Sequence, residues 1–501
     1  MQIKIAVSTE IIKKYNKNFK KCIGSGRLSL ALRQDYMENL AKVQREIGFE
    51  YIRGHGIFHD DTGVYREEIK VGATPVVTLE RPLFNFKNIL KIIDNLLSVG
   101  IKPFVEFGFM PEQMAAGDKT IFWWKGNVTE PKNISLWVKL IKNFLQTAAD
   151  YYGIDEVKKW YFEVWNEPCV DFWQPVSGNR EEEYHKLYKA TAEAVKSICP
   201  DLKVGGPATQ GQGVDWVSRF IEFCASQNIR PDFISHHVYT GYDRRFEGEF
   251  CYMEHVPPSD AVEKFKQISD IAEKNEFPLH ITEWNTSYSC IDPIHDTAFN
   301  AAYVAYILTH ADDLANSYSY WVFSDVFEEA DIPRALFHGG FGLLTENGIR
   351  KPVFHAFAFA NRLKENILRL DDICCVTIDN FGNISMLLFN PVAGQGKDIN
   401  AKIEIPCKFD EVIVSVQKVD EKNGNAYEVW KTLGRPRYPK RDVMEIVKRA
   451  QYPSVDVYRL KSDEGKAKVF TTLPANGIQL IEVTKLTDYT DDYQGLKPVN
   501  A

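Results

Sequence analysis

Two short segments of this chain each place a glutamate at the end of an apolar, strand-like run. They are Trp165-Asn166-Glu167-Pro168 and Ile281-Thr282-Glu283-Trp284-Asn285. Proline cannot donate to a β-ladder and restrains the residue before it, so the first strand is expected to stop at Glu167. Two carboxyl groups at strand ends are the minimum set of catalytic groups for breaking a glycosidic bond by general acid catalysis and nucleophilic attack.

A regular alternation of strand-like and helix-like segments fills the first two-thirds of the chain. Helix-like stretches with apolar residues at three- and four-residue spacing, such as 88–99, 134–151 and 181–198, separate eight short apolar runs. Eight repeats of strand and helix predict an α/β fold, a (β/α)₈ TIM barrel over residues 15–350. The eight runs are Cys22–Arg27, Tyr51–Phe58, Lys102–Met110, Tyr161–Glu167, Lys203–Thr209, Phe233–Tyr239, Leu279–Asn285 and Tyr318–Asp325.

An open, doubly wound sheet is the competing fold for such an alternation. That fold binds its cofactor at a glycine-rich turn after the first strand. The matching segment here, Gly24-Ser25-Gly26-Arg27, lacks the remaining glycine and the apolar start of a helix. The pattern therefore favours the closed barrel.

The sequence pattern changes after about residue 351. Short β-branched segments separated by turn residues predict an accessory antiparallel β-sandwich over residues 351–501, with one helical insert near 440–452. The alternation of Ile3, Ile5 and Val7 indicates that residues 1–14 add a strand to it. The tail from about Asp488 is polar and expected to be loose. The predicted strands are Val376–Ile378, Ile384–Phe389, Ile403–Ile405, Val412–Val416, Val469–Leu473 and Ile478–Val483.

Barrel enzymes carry their active sites at the carboxyl ends of the strands. The predicted strands end in acids, amides and imidazoles, without a plausible Ser-His-Asp set. Glu167 and Glu283 fall on the fourth and seventh strands, which face each other across a closed barrel. A metal site built from His236, His237, Glu106 and Asp325 is disfavoured, because successive strand residues diverge. The residues at the strand ends are Arg53, His55, Glu106, Asn166, Glu167, His236, His237, Tyr239, Glu283, Asn285, Asp325, Glu328 and Glu329.

The two glutamate segments resemble the fourth- and seventh-strand signatures of retaining (β/α)₈ glycosidases. Five further stretches resemble glycoside hydrolase family 39, the β-xylosidase family, and together they span nearly the whole chain. These stretches are Tyr51–Gly56, Phe107–Pro111, Tyr320–Glu329, Phe337–Gly342 and Gly434–Pro439. The resemblance implies a retaining exo-glycosidase that releases xylose from β-1,4-xylo-oligosaccharides and β-xylosides, and a homo-oligomer, often a tetramer.

The resemblance also implies a role for each candidate residue. Glu167 would be the acid/base, and Glu283 the nucleophile. Asn166 would bind the sugar 2-hydroxyl, and Phe122 and Trp124 would flank the leaving group. The terminal-sugar site would be lined by His55, His237, Tyr239, Glu328 and Glu329. Since two close carboxylates repel and burial penalises charge, we expect Glu167 to be protonated and Glu283 ionised in the resting enzyme.

Departures from the family pattern leave the substrate open. The pattern has Tyr where this chain has Trp284, and Arg where it has His236. The segment from Tyr239 to Arg245 also differs. Neighbouring strand residues point to opposite faces, so only one of His236 and His237 is expected to face sugar. An α-L-arabinosidase of the same mechanism and a non-catalytic carbohydrate-binding barrel remain alternatives.

Composition limits the classes of binding partner and the cellular compartment that we expect for this protein. A net charge of −8 without a basic stripe argues against nucleic acid and anionic membranes as partners. The start, Met1-Gln2-Ile3-Lys4-Ile5, does not read as a signal peptide, and no run of about 18 apolar residues predicts a membrane span. Nine scattered cysteines, an odd number, suggest reduced thiols and a cytoplasmic location. No cofactor and no metal site is predicted.

Overall fold

Eight parallel strands close into a barrel in the computed structural model, which describes residues 1–485 except 71, 73–75, 393 and 395. The predicted barrel is confirmed, and an open sheet is excluded because the eighth strand pairs with the first. The predicted loose tail from Asp488 lies outside the described residues. The strands are β1 (Cys22–Arg27), β2 (Tyr51–His55), β3 (Lys102–Phe107), β4 (Tyr161–Val164), β5 (Lys203–Thr209), β6 (Ile234–Tyr239), β7 (Leu279–Asn285) and β8 (Ser317–Tyr320).

A helix follows each barrel strand and covers it from outside. The amphipathic pattern explains this packing: in the second helix Ile89, Ile92 and Ile93 form one buried stripe. The three predicted helices are found within one residue of their expected limits. The helices are α1 (Gln34–Glu46), α2 (Lys87–Ser98), α3 (Ile134–Tyr152), α4 (Arg180–Ile198), α5 (Val214–Ser226), α6 (Pro258–Lys274), α7 (Ala298–His310) and α8 (Pro352–Arg362). No helix in the described part of the chain has the length and apolar character needed to cross a membrane.

The barrel interior is layered from an aromatic floor to a polar centre. Near the amino ends of the strands, the Phe104 ring lies 5.1 Å from the Tyr161 ring and 5.5 Å from the Phe233 ring. One pleat further along β3 and β4, Glu106 and Glu163 stand opposite each other in register and are fully buried. The apolar floor therefore separates the polar centre from water at the lower end of the barrel.

Two sheets stack into the accessory sandwich. Gln2–Ala6 pairs in parallel with Ile399–Pro406, whose other neighbour is the antiparallel Lys466–Leu473. Each predicted strand is found. Two strands of the larger sheet, Asn366–Leu370 and the exposed edge strand Ser454–Lys461, were not predicted. The larger sheet has the order Lys13–Lys14, Asn366–Leu370, Cys374–Ile378, Ile384–Phe389, Ile478–Lys485, Glu411–Val419 and Ser454–Lys461.

The larger sheet is apolar on both faces, which joins the sandwich to the barrel. The neighbours Cys374 and Cys375 show this, because Cys374 lies in the core between the two sheets and Cys375 packs in the barrel's core cluster. α8 also packs in that barrel cluster through Val353 and Phe357. The division of the chain into domains at residue 351 stays a prediction, and this packing favours a boundary after α8.

The helical insert of the sandwich reaches the barrel mouth. It consists of Arg441–Arg449, as predicted, and of a second helix, Ala426–Thr432, which was not predicted. Trp430 packs against Phe337, which belongs to the long connection after β8. Three two-stranded sheets lie in the loops that follow barrel strands. They pair Tyr65–Lys70 with Val76–Phe84, Thr120–Ile121 with Gly126–Asn127, and Gly241–Glu247 with Phe250–His255.

Close approach of β5 and β6 depends on Gly205. A Cβ added there would lie 2.4 Å from the Phe233 carbonyl oxygen and 2.6 Å from its ring. Gly205→Ala is therefore expected to cost about 1–3 kcal/mol of unfolding free energy through overpacking. Thermal unfolding should show a lower midpoint, whereas Gly211→Ala, whose added Cβ meets nothing within 4 Å, should not change it. Equal midpoints for the two variants would contradict this.

Candidate active site

A single guanidinium organises the centre of the barrel mouth. Arg53, fully buried, donates from Nε to Glu163 Oε2 at 2.6 Å and from Nη1 to Glu283 Oε1 at 2.7 Å. Its Nη2 lies 2.8 Å from Asn166 Oδ1 and 2.9 Å from Glu106 Oε2. These contacts join β2 to β3, β4 and β7. Sequence reasoning placed Arg53 at the rim without giving it this role.

The backbone leaves the strand before it reaches Glu167. β4 ends at Val164, and both Trp165 (φ 70°) and Glu167 (φ 39°) have left-handed backbone. The expectation that the strand runs to Glu167 is therefore wrong, because Trp165 turns the chain out of the ladder. The Glu167 N–H donates to the Ala208 carbonyl at 2.9 Å, and the Trp165 indole donates to the Phe172 carbonyl at 2.7 Å. This left-handed backbone conformation holds Glu167 over the cavity. Residues in such rarely populated conformations cluster at functional sites.

Glu167 and Glu283 share one cavity with His237 between them. His237 Nδ1 lies 2.8 Å from Glu167 Oε1 and 3.5 Å from Glu283 Oε2. These three side chains have donor or acceptor atoms that all fall within 4.8 Å of one another. This spacing suits a retaining glycosidase, whose carboxyl groups stand about 5–5.5 Å apart, and not an inverting one, which needs about 6.5–9.5 Å.

The environment favours a protonated Glu167. Burial raises the pKa of Glu167 well above its usual range, and the nearby Glu283 carboxylate raises it further. Burial also lowers the pKa of His237 well below its usual value, and Arg53 lowers it further. The imidazole beside Glu167 is therefore neutral and offers no charge to stabilise a Glu167 carboxylate.

Glu283 has the opposite environment. Besides the ion pair with Arg53, its Oε2 accepts a hydrogen bond from the Tyr239 hydroxyl at 2.7 Å. Burial and the adjacent Glu283 carboxylate keep the pKa of Tyr239 well above its usual value, so the phenol is a donor. A guanidinium and a phenol aimed at one carboxylate stabilise its anionic form. The two glutamates are thus differentiated by their neighbours.

The two glutamates after β8 are not equivalent. Glu328 is ion-paired with Arg27 at 2.5 Å and with Arg33 at 3.0 Å. Glu329 lies 3.9 Å from His55 Nε2, and burial raises its pKa to about 8. Glu329 is therefore a neutral hydrogen-bond donor near pH 7, facing the cavity. Their predicted contacts with sugar stay predictions.

An aromatic strap from the β3 loop crosses the mouth. Phe122, in left-handed backbone, stacks on His55 at 5.9 Å and on Trp124 at 5.2 Å. Trp124 is 7% exposed, whereas Trp123 is 43% exposed and its N–H donates to the Glu329 carbonyl at 3.0 Å. The structure thus places Phe122 at the cavity and Trp124 behind it. The sequence analysis overlooked Trp123, and no periodicity marks it.

Two residues suspected of deciding the sugar's identity face away from the cavity. His236 Nδ1 lies 2.9 Å from Thr209 Oγ1, between β5 and β6. Trp284 packs edge-on against Phe265 and Tyr320, in the layer between barrel and helices. An extra residue in β7, Thr282, shifts the register between β6 and β7 and sets Glu283 beside His237 in the ladder.

The disfavoured metal set is not brought together. Asp325 is buried in an ion pair with Lys351 at 2.6 Å, away from the histidines. Glu106 instead lies 2.7 Å from His55 Nδ1 and 2.9 Å from Arg53 Nη2, so it supports both of these side chains. The group with ligand-like spacing is Glu167, His237 and Glu283. A cation there would occupy the oxygens that an acid and a nucleophile need, so this donor set suits glycoside cleavage better than metal binding.

A closed (β/α)₈ barrel with two buried glutamates close together across its mouth is the arrangement typical of glycoside hydrolases. Comparison with known proteins specifies the class further: the family model for glycosyl hydrolases family 39 matches residues 1–468, and the chain belongs to this family.

Individual relatives agree with this membership. The chain is 45% identical over 492 residues to a β-xylosidase of Geobacillus stearothermophilus, with 96% of each chain covered. It is 36% identical to a β-xylosidase of Caldicellulosiruptor saccharolyticus, covering 87% of this chain and 89% of the relative. A solved structure described as a monomeric β-xylosidase from Caulobacter crescentus matches with a TM-score of 0.84 and 32% identity, covering 97% of this chain and all of that one. The protein is therefore an enzyme, a glycosidase.

The raised pKa of Glu167 predicts the alkaline limb of the pH profile. The predicted acid role requires a protonated Glu167, so kcat/KM should persist above the usual glutamate pKa of about 4.3 and fall as pH rises through the Glu167 pKa. With a dinitrophenyl glycoside, which needs little acid assistance, Glu167→Gln should lose this limb. Glu329→Gln is the comparison, since the pKa of Glu329 is raised to about 8. Loss of the limb in Glu329→Gln alone would contradict the assignment.

The opposite orientations of the two histidines predict unequal effects on activity. His237→Ala removes the contact with Glu167 and should lower kcat/KM on the order of a hundredfold. His236→Ala breaks only the contact with Thr209, so it should lower the unfolding midpoint and leave kcat/KM within a few-fold. Steady-state kinetics and thermal unfolding of both variants check this. The reverse order of activities would show that the inward histidine is misassigned.

Proposed function

We propose that this protein is a retaining, exo-acting β-xylosidase that works through a covalent glycosyl–Glu283 intermediate. The observation that carries the proposal is the differentiated pair, within 4.8 Å, of a Glu167 with raised pKa and a Glu283 bound by Arg53 and Tyr239. The names of the relatives support xylosides as the substrate class.

In the first step Glu283 attacks the anomeric carbon from the face opposite the leaving group. Glu167 protonates the glycosidic oxygen as the bond breaks, so the leaving sugar departs as a neutral alcohol. Arg53 and Tyr239 hold the attacking oxygens in place before the reaction, which limits the reorganisation it requires. Asn166, fixed by Arg53, is positioned to bind the 2-hydroxyl.

The second step reverses the charges. Ester formation neutralises Glu283, which removes the repulsion that raised the pKa of Glu167. Glu167, having given up its proton, takes one from water as the water attacks the anomeric carbon. Two inversions then give net retention, and the Glu283 carboxylate returns to Arg53.

The strap supports exo-action. Phe122 and Trp123 cross the mouth from the β3 loop to the residues after β8, where the Trp123 N–H meets the Glu329 carbonyl. The strap narrows the mouth, which favours a pocket that takes the end of a sugar chain over a cleft that takes its middle. Xylose lacks a hydroxymethyl group at C5, so selectivity over hexoses would be steric.

The alternatives differ in what supports them. An α-L-arabinosidase would use the same pair and differ only in the sugar's C4 hydroxyl, which Glu329 or Glu328 would contact. A binding barrel has no need for two repelling acids, and the buried Arg53 that holds one of them ionised argues against it.

The compartment and the assembly remain proposals. All nine cysteines are free thiols, which supports a reducing, cytoplasmic location. The homo-oligomer implied by the family resemblance stays a prediction, since one related structure is described as a monomer.

Hydrolysis of an aryl β-D-xyloside tests the proposal. Glu283→Ala should lose more than about a thousandfold of kcat, because it removes the nucleophile. Glu167→Ala should still form the intermediate from an activated aryl glycoside, and azide should restore turnover as a β-glycosyl azide. The exposed Glu193→Ala is the matched control and should equal wild type.

Product analysis separates the remaining possibilities. Release of β-xylose from xylotriose, seen by NMR before mutarotation, would support exo-action with retention. Faster cleavage of an aryl α-L-arabinopyranoside would favour the arabinosidase. Inactivity of wild type on every pentoside and hexoside would refute the enzyme proposal.

A further inference from the structure

A second cavity adjoins the catalytic one at Glu329. Its volume is about 460 Å³, within the range of about 300–1,000 Å³ that small-ligand sites occupy. Glu329 lines this cavity and also lies 3.9 Å from His55 Nε2. Glu329 therefore connects this cavity to the residues around Glu283.

Four separate parts of the chain enclose this cavity. They are residues 247–250 of the hairpin 241–255, residues 290–291 after β7, the connection 327–338 after β8, and residues 430–437 of the sandwich insert. Arg437 forms an ion pair with Glu249 of the hairpin. The Trp430 indole donates to the Pro436 carbonyl at 3.0 Å, and its ring lies 5.5 Å from that of Phe337. Contacts between three of these parts thus fix the walls.

The lining combines aromatic rings with guanidinium groups. Phe250, Phe327, Phe337 and Trp430 supply apolar surface of the kind that packs against the C–H faces of a sugar. Of the three lining arginines, Arg334 is paired with Asp331 at 2.6 Å and Arg437 with Glu249.

Arg435 is the lining arginine without a carboxylate partner among the described residues. Its backbone is left-handed (φ 57°) directly after Gly434 (φ 87°), and its N–H donates to the Trp430 carbonyl at 3.1 Å. The nearby acids do not neutralise it, since Glu247 pairs with Arg245 and the pKa of Glu329 is raised to about 8. The guanidinium of Arg435 is therefore available to pair with an anionic group of a ligand.

We propose that this cavity binds a uronosyl group attached to the terminal xylose, with its carboxylate held by Arg435, so that acidic xylosides are preferred substrates. The proposal rests on the proposed xylosidase function. It gives a role to the Gly434–Pro439 stretch, which the catalytic centre does not use. The sandwich insert would then take part in substrate choice.

Matched pairs of substrates test this directly. Aryl β-D-xylosides carry a glucuronosyl group on O2, O3 or O4 of xylose, and each is compared with the neutral glucosyl counterpart at the same position. For at least one position, wild type should favour the glucuronosyl compound roughly fivefold in kcat/KM, mainly through KM, as expected for a charge-assisted hydrogen bond at a partly open site. The preference should fall in 1 M salt.

Variants assign the preference to its residue. Arg435→Gln should bring the ratio to about one, and Arg435→Lys should restore part of it. Arg449→Gln, an exposed arginine on the insert that does not line the cavity, should keep the full ratio. All three should hydrolyse the unsubstituted aryl xyloside like wild type.

The outcomes separate this proposal from the function on which it rests. A ratio of one in wild type at all three positions, or a preference that survives Arg435→Gln, would overturn the uronosyl site. Failure of wild type on the unsubstituted aryl xyloside would instead refute the xylosidase function.

Discussion

The buried guanidinium of Arg53 is the interaction on which the rest of the site depends. A fully buried cation is costly unless it is paired and hydrogen-bonded, and here three carboxylates and one amide surround it. They come from β3, from β4 and the residues just after it, and from β7, so neutralising one charge fixes the relative positions of these strands. Removing the cation would leave buried carboxylates that repel one another. The geometry of catalysis and the stability of the barrel centre are therefore linked.

An excess of acid over base at this centre determines where the protons reside. Glu106, Glu163 and Glu283 contact Arg53, and Glu167 and Glu329 lie close to Glu283. Burial and neighbouring carboxylates raise the pKa values of Glu163, Glu167 and Glu329, so these acids are harder to ionise than an exposed glutamate. Glu283 instead contacts both the Arg53 guanidinium and the Tyr239 hydroxyl. Glu167 and Glu283 have identical side chains, so only their different neighbours distinguish them.

The insert of the sandwich and the strap from the β3 loop both contact the mouth of the barrel. The sandwich packs on the helical layer through its larger sheet, and its insert extends to the connection after β8 through Trp430 and Phe337. The strap from the β3 loop meets the same connection at Glu329. Glu329 is therefore held between two loops and beside the insert, which links the terminal-sugar pocket to the adjoining cavity. This arrangement explains why family-like stretches lie in both parts of the chain.

Local sequence determined the strands, the helices and the two glutamates, because hydrophobic periodicity and turn residues act over a few neighbours. The sequence also predicted six strands of the sandwich, but not Asn366–Leu370 or the exposed Ser454–Lys461. Only the tertiary structure decided which side chains meet. An extra residue in β7, Thr282, set Glu283 beside His237, while His236 contacts Thr209, and a left-handed turn at Trp165 carried Glu167 over the cavity. These arrangements depend on contacts between residues that are far apart in the chain. The same holds for the pairing of Arg53 with carboxylates of three other segments. Local sequence patterns therefore cannot predict them.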